Sequence, residues 1–186
     1  MIFFHCCSLA SGSFLTGMTM QGDRMSGKLR NMASIYIIDN NQFLMLYRIG
    51  SRVVPPSWCG VGGHFEQHEL NDAKACVLRE MEEEIGLTES DIKNIHLRYI
   101  TLRLKNGELR QNYYFFADLE EGTHVSLVCD EGKLEWVPVS KVMDLEMPFT
   151  ARYVLEHYME TGCSTKSLYG GCADENGVHF VELSEF

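Results

Sequence analysis

Gly62-Gly63-His64-Phe65-Glu66-Gln67-His68-Glu69, followed after nine residues by Arg79-Glu80-Met81-Glu82-Glu83-Glu84-Ile85-Gly86-Leu87, decides how this chain is read. A glycine pair leads into a dense set of carboxylates. If residues 72–85 form a helix, Glu80, Glu83 and Glu84 stand at i, i+3 and i+4 and share one face, while Glu82 points the other way. Ala73, Val77, Leu78, Met81 and Ile85 fall on a neighbouring apolar arc. One flank of the helix therefore packs on a core and the adjacent flank meets a cleft. Like charges on one helical face repel, so the face calls for positive charge. Carboxylate oxygens suit hard divalent cations, and Mg²⁺ characteristically brings substrate phosphates with it. Arg79 lies beside the carboxylates, in position for a bidentate bond to one of them or to Glu69. Asn71 and Asp72 are both suitable N-caps, and Gly86 reads as the C-cap.

The segment resembles the Nudix box: glycine, five residues, glutamate, a spacer, then Arg-Glu-hydrophobic-x-Glu-Glu-x-Gly-hydrophobic. Gly63 to Glu69 matches the first half, and Arg79 to Leu87 matches every defined position of the second. The spacer departs from the pattern, with nine residues (Leu70–Leu78) where the family has seven. We read the difference as a longer loop before the helix, which leaves either Glu69 or Glu66 to orient the arginine. The resemblance implies an α/β/α sandwich with a mixed β-sheet over roughly residues 30–160. It implies a metal-dependent hydrolase that cleaves a nucleoside diphosphate linked to a group X, giving a nucleoside monophosphate and phosphorylated X. Its expected cofactor is Mg²⁺, with Mn²⁺ as the alternative, and the metal ligands it implies are the Gly62 carbonyl, Glu80, Glu83 and Glu84. A glutamate on a loop before a tryptophan-bearing strand completes such sites, and Glu131 matches that position better than Glu135, which adjoins Trp136. The catalytic set is then Arg79, Glu80, Glu83, Glu84 and Glu131, with the general base open between a helix glutamate and Glu131.

Bulk properties agree with this reading. A chain of 186 residues suits one domain. A net charge of −10 disfavours binding nucleic acid through its backbone, which needs clustered Lys and Arg. Seven cysteines at irregular spacing, with no C-x-x-C, read as reduced thiols of a cytoplasmic protein. Met1 to Phe14 is apolar but lacks the positive start of a signal peptide and is too short to span a bilayer, so no membrane partner is expected. Residues 1–27 are expected to be a disordered leader or an over-extended start, 28–162 the catalytic domain, and 163–186 an extension packing on it as a sheet-edge or dimer element.

Strands are expected over Ala33–Ile38 and Phe43–Arg48, joined at Asp39-Asn40-Asn41, and over Ile95–Leu104 and Leu109–Leu119, joined at Lys105-Asn106-Gly107-Glu108. Thr123–Cys129, Leu134–Val137 and Val178–Leu183 also read as strands, and Phe149–Glu160 as a helix stopped by Gly162. The Tyr113-Tyr114-Phe115-Phe116 run reads as core, since alternation turns only half of it towards any pocket.

Arg48, Arg52, Arg103 and Arg110 are candidate phosphate contacts, with Arg48 and Arg103 carried forward as substrate-binding residues. Trp58, just before the glycines, is a candidate to stack on a base, with a packing role equally open. His64 and His68 are poor zinc ligands beside so many hard oxygens. Candidate substrates span oxidised nucleoside triphosphates such as 8-oxo-dGTP, ADP-ribose, dinucleoside polyphosphates and sugar nucleotides. A non-catalytic nucleotide-binding module and an isoprenoid diphosphate isomerase are the alternatives, and the intact Glu83-Glu84 pair argues against both.

Overall fold

Period-two alternation in the strands builds two cores on opposite faces of one sheet. In the computed structural model, which describes residues 28–49 and 55–184, strands β1 (Lys28–Asp39) and β2 (Gln42–Arg48) are followed by β3 (Ser57–Cys59) and β4 (Val61–His64). Helix α1 (Ala73–Ile85) leads to the long hairpin of β5 (Ile92–Lys105) and β6 (Glu108–Leu119). After β7 (Val128–Cys129) and β8 (Gly132–Pro138) come α2 (Phe149–Glu160), β9 (Leu168–Ala173) and β10 (Val178–Leu183). The expected leader and Arg52 lie outside the described residues.

Ile35, Ile37, Leu44, Leu46, Phe115 and Ala117 pack under α1, whose Cys76, Val77, Met81 and Ile85 are buried against them. The intervening Tyr36, Phe43, Met45, Tyr114 and Phe116 face the other way and pack with Val154 and Leu155 of α2. The aromatic run divides as alternation requires: Phe115 belongs to the first core, Tyr114 and Phe116 to the second. The product is the expected α/β/α sandwich around a mixed sheet, ordered β10-β9-β5-β6-β1-β2-β8-β7. Both tight hairpins take the turn their residues favour. Asn40 (φ 45°) and Asn41 (φ 61°), and Asn106 (φ 54°) and Gly107 (φ 73°), supply the two left-handed residues of turns whose twist matches the strands.

β1 runs parallel to β6 along its length, but its other edge is shared. Ile37–Asp39 pair with β2, whereas Met32–Ile35 pair with β4. β2 likewise pairs with β3 over Leu46–Arg48. β1 and β2 therefore splay, and β3 and β4 fill the gap as one interrupted strand with Gly60 at the crossing. A Cβ at Gly60 would lie 2.6 Å from the Ile35 carbonyl oxygen, so only glycine lets the two backbones touch there. This wedge places Gly62 and Gly63 under α1. The helix is bounded as its sequence suggests: the Asp72 side chain accepts the Ala75 N–H at 2.9 Å, and Gly86 closes it at φ 69°.

Two elements differ from expectation. Only Val128–Cys129 of the predicted strand Thr123–Cys129 joins a ladder. Val125 enters the core as a lone anchor while Leu127 and Val128 stay exposed, so an alternating stretch mimics a strand without a partner. α2 ends on Thr161, and Gly162 opens a short 3₁₀ turn where a Cβ would strike the Tyr99 hydroxyl, so that glycine serves close packing rather than the helix stop. Beyond it, β9 pairs in parallel with β5 and antiparallel with β10, extending the sheet. Among the described residues no helix is long and apolar enough to cross a membrane.

The wedge makes a stability prediction. Gly60→Ala forces apart two backbones and should cost about 2–3 kcal/mol, as overpacking does. Gly122→Ala, at φ 84° but with open space around it, should cost about 1 kcal/mol. Urea unfolding of both variants checks the ranking, and a larger loss at Gly122 would refute the steric account.

Candidate active site

The three box glutamates leave one helix face but enter three environments. Glu84 is almost enclosed, its side chain 7% exposed, and it accepts the Gly62 N–H at 3.0 Å and a bond from Arg48 Nη2. Burial pushes its carboxyl up to about 7, against the opposing pull of Arg48 and the Gly62 amide. Glu80 lies against Gly63, where any Cβ would run into the carboxylate. Burial raises its pKa as well, with Arg79 opposing. Glu83 is 59% exposed and tethered to Arg79 Nη1 at 2.8 Å. Both glycines thus act through close approach. Gly62 (φ 144°) also has a backbone conformation that side chains disfavour, with the Ala33 carbonyl where its Cβ would be.

Arg79 organises the helix side of the site. It donates from Nε to Glu69 Oε1 at 2.7 Å and from Nη2 to Glu69 Oε2 at 3.0 Å. Nη1 meets Glu80 at 3.0 Å and Glu83 at 2.8 Å, and Nη2 also reaches the His64 carbonyl at 3.1 Å. Between Glu69 and Glu66, the geometry selects Glu69. Its residue is 2% exposed, and its Oε2 also accepts the Glu66 N–H at 2.9 Å across a 3₁₀ turn, Gln67–Glu69. The longer spacer is accommodated by this turn and by Leu70–Asp72 before α1 begins.

Beside the box opens a cleft of about 820 Å³ between the α2-side face of the sheet and the segment from Met143 to Arg152. Arg48 and Arg103 line it, as do Arg30, Lys105, Arg110 and Arg152. Arg48 stands at the boundary between box and cleft. Its Nη2 donates to the Gly62 carbonyl at 2.9 Å as well as to Glu84, and its Nε is 4.0 Å from Glu131 Oε2. Glu131, 55% exposed, is thereby brought to the box from a loop distant in sequence. Arg103 stacks over the Phe149 ring at 4.0 Å. Trp58 is the exception. Ser57 and Cys59 line the cleft, whereas strand alternation turns Trp58 onto Tyr47, with ring centroids 5.1 Å apart, over a shallow depression formed with Lys133 and Leu145. Trp58 thus does not line this cleft.

The donors suit a hard cation in type and charge, since all are oxygens and two arginines balance them. Among the described residues no three His, Cys, Asp or Glu side chains already converge on one point. Arg79 draws Glu80 and Glu83 one way, and Arg48 draws Glu84 the other. His64, whose pKa burial and Arg30 lower, bonds the Arg30 guanidinium through Nε2. Arg30 was missed by the sequence reading. Its signal was the alternation Arg30, Met32, Ser34, Tyr36, which puts all four on the cleft face of β1.

Glu69 yields a pH prediction. The Arg79 guanidinium holds its carboxyl down at about 2, below the usual 4.5, so the fold favours the ionised form. That contribution is complete above pH 4.5 and is lost as pH falls towards 2. Glu69→Gln should lose about 3 kcal/mol at pH 7, as when one partner of a buried ion pair is removed. The gap from the parent protein should close as unfolding is measured between pH 4.5 and 2, and a gap constant with pH would refute the ion-pair origin.

Comparison with known proteins agrees with this geometry. The chain is similar to the MutT protein of Methanosarcina mazei Go1 (TM-score 0.60, 21% identity, covering 74% of this chain and 97% of that one). It is similar to a MutT protein of Bacillus halodurans (0.57, 24%, 83% and 95%) and to the Ap4A hydrolase of C. elegans (0.57, 18%, 74% and 99%). At these identities the likeness speaks for the fold. The NUDIX domain model matches residues 28–158, most of the chain and all of the box, wedge and cleft, and on that ground the chain belongs to the Nudix hydrolase family.

Proposed function

We propose that this pyrophosphohydrolase cleaves the diphosphate of nucleoside diphosphate derivatives, NDP-X, to a nucleoside monophosphate and phosphorylated X. The observation that carries the reading is the junction at Arg48, where the carboxylate face of α1, the Gly62 carbonyl and a cation-lined cleft meet. A hard divalent ion, Mg²⁺ with Mn²⁺ as the alternative, would be held by the Gly62 carbonyl, Glu80, Glu83, Glu84 and Glu131. When bound it neutralises the diphosphate oxygens and lowers the pKa of a coordinated water.

The chain's own residues do the rest. Arg79, fixed by buried Glu69, tethers Glu80 and Glu83 on one side of the carboxylate face. Arg48 and the cleft arginines take up phosphate charge. A carboxylate accepts the proton of the attacking water as its oxygen bonds to phosphorus and the bridging P–O bond breaks. Glu131 and the helix glutamates share candidacy for that proton. The MutT and Ap4A hydrolase likenesses keep nucleoside triphosphates, including oxidised ones such as 8-oxo-dGTP, and dinucleoside polyphosphates among the substrates to test. ADP-ribose and sugar nucleotides carry the same linkage.

A panel of such compounds, incubated with purified protein in Mg²⁺ or in EDTA and resolved by chromatography, should show metal-dependent release of a nucleoside monophosphate from at least one member. Binding without turnover across the panel would favour a nucleotide-sensing module. Glu83 is exposed and makes one bond. Glu83→Gln should therefore keep the melting temperature within a degree or two and lower kcat by about 10²-fold or more, the scale on which removing an acid–base or metal-holding group acts. Full turnover in that variant would remove Glu83 from the catalytic set.

A further inference from the structure

The cleft runs from the edge of the box, at His64, along a row of cations. Arg30 of β1 pairs in register with Arg110 of β6, and Arg110 with Arg103 of β5, so three arginines stand abreast on three neighbouring strands. All three line the cleft, with Lys105 one pleat further along β5. Among the described residues one carboxylate offsets them. Glu108 lies 2.9 Å from Arg110 Nε and 3.9 Å from Arg30 Nη1. Arg103 has no carboxylate within 4 Å among the described residues and rests on the Phe149 ring; burial and the charge of Arg110 lower its pKa. Like charges side by side on a sheet destabilise it. In a chain of net charge −10, placing them together inside a concave site works against folding, and an incoming anion relieves the cost.

Their distance from the box bears on which anion that is. Ser34 faces Gly62 across the β1–β4 ladder, and Arg30 lies four residues back along β1 with its guanidinium on the His64 ring. Arg110 and Arg103 lie two and three ladders from β4, about 10 and 14 Å across the sheet at ~4.8 Å per strand as well as about 13 Å along it at ~3.3 Å per residue. One diphosphate held at the box is too short to reach Arg103 and Arg110 as well, and Arg30 stands between the two places. The far end of the cleft also has the planar, forked donors suited to a phosphate monoester.

We infer that Arg30, Arg103 and Arg110 form a second phosphate subsite, and that the substrate is a nucleotide-derived diphosphate carrying a further phosphate monoester away from the scissile linkage. The inference rests on the diphosphate-cleaving reading for which bond breaks, and on the cation row alone for the extra phosphate.

Matched pairs that differ by one phosphate monoester test it: NAD⁺ against NADP⁺, and dephospho-coenzyme A against coenzyme A. Calorimetric titration in EDTA reads binding without turnover, and kcat/KM in Mg²⁺ is then compared within each pair. In at least one pair the phosphorylated member should bind tenfold or more tightly, a gap of about 1.4 kcal/mol. The gap should shrink with added salt, as exposed charge pairing does. Arg103→Gln and Arg110→Gln should each close most of it, with Arg103→Lys intermediate because it keeps the charge and loses the fork. Equal affinities within both pairs, no binding of any member, or a gap that survives both glutamine substitutions overturns the subsite. A binding gap without hydrolysis overturns the hydrolase reading and leaves the subsite supported, whereas hydrolysis with equal binding does the reverse.

Discussion

One carboxylate joins the helix to the sheet. Glu84 accepts the Gly62 amide hydrogen and the Arg48 guanidinium, while Arg48 also holds the Gly62 carbonyl. The three groups come from α1, β4 and β2, and their closure depends on the β3–β4 wedge bringing Gly62 beneath the helix. Removing the wedge would leave α1 packed on apolar residues alone, its charged face with no fixed relation to the cleft. Burial pushes the Glu84 carboxyl up to about 7, so the contact is costly for the fold and has its value in the site.

Two arginines divide the work on either side of that contact. Arg79 is saturated by protein partners and behaves as a fixed support, with its strongest bonds to a glutamate that is nearly inaccessible. Among the described residues Arg48 holds fewer partners, and it stands where the cleft begins. This difference follows from burial of the partner carboxylates and from the strand or helix that carries each guanidinium. It also explains why the three box glutamates, equivalent in a helical projection, differ in exposure from 7% at Glu84 to 59% at Glu83.

Sequence periodicity made the local structure legible. The apolar arc of α1, its caps at Asp72 and Gly86, the bounds of α2, both asparagine-rich turns and the division of the aromatic run all follow from spacing within about fifteen residues. What remained illegible depends on pairing across long separations. Nothing local to Ser57–His64 announces that it fills a gap between β1 and β2. The stretch Thr123–Leu127 has a strand's pattern and no partner. Trp58 looked like a cleft residue because it neighbours the glycines, yet alternation within a three-residue strand sends it elsewhere. The box residues were readable because their chemistry repeats at helical intervals. The cation row was legible only in part: the β5–β6 hairpin sets Arg103 opposite Arg110, whereas Arg30 joins them only through the parallel β1–β6 pairing.

The β9–β10 hairpin bears on how this molecule behaves at high concentration. β5 is a fourteen-residue strand, and left uncovered it would offer a long template to another chain. β9 covers Tyr99–Arg103 of it and moves the sheet's boundary there to β10, six residues long, while the opposite end of the strand order is β7, with two. Val181 and Leu183 keep that short rim apolar, but Glu182 interrupts them. The hairpin thus shields the stretch Tyr99–Arg103 of β5 from edge-to-edge pairing, and the boundary it puts there is a strand of six residues carrying a charge.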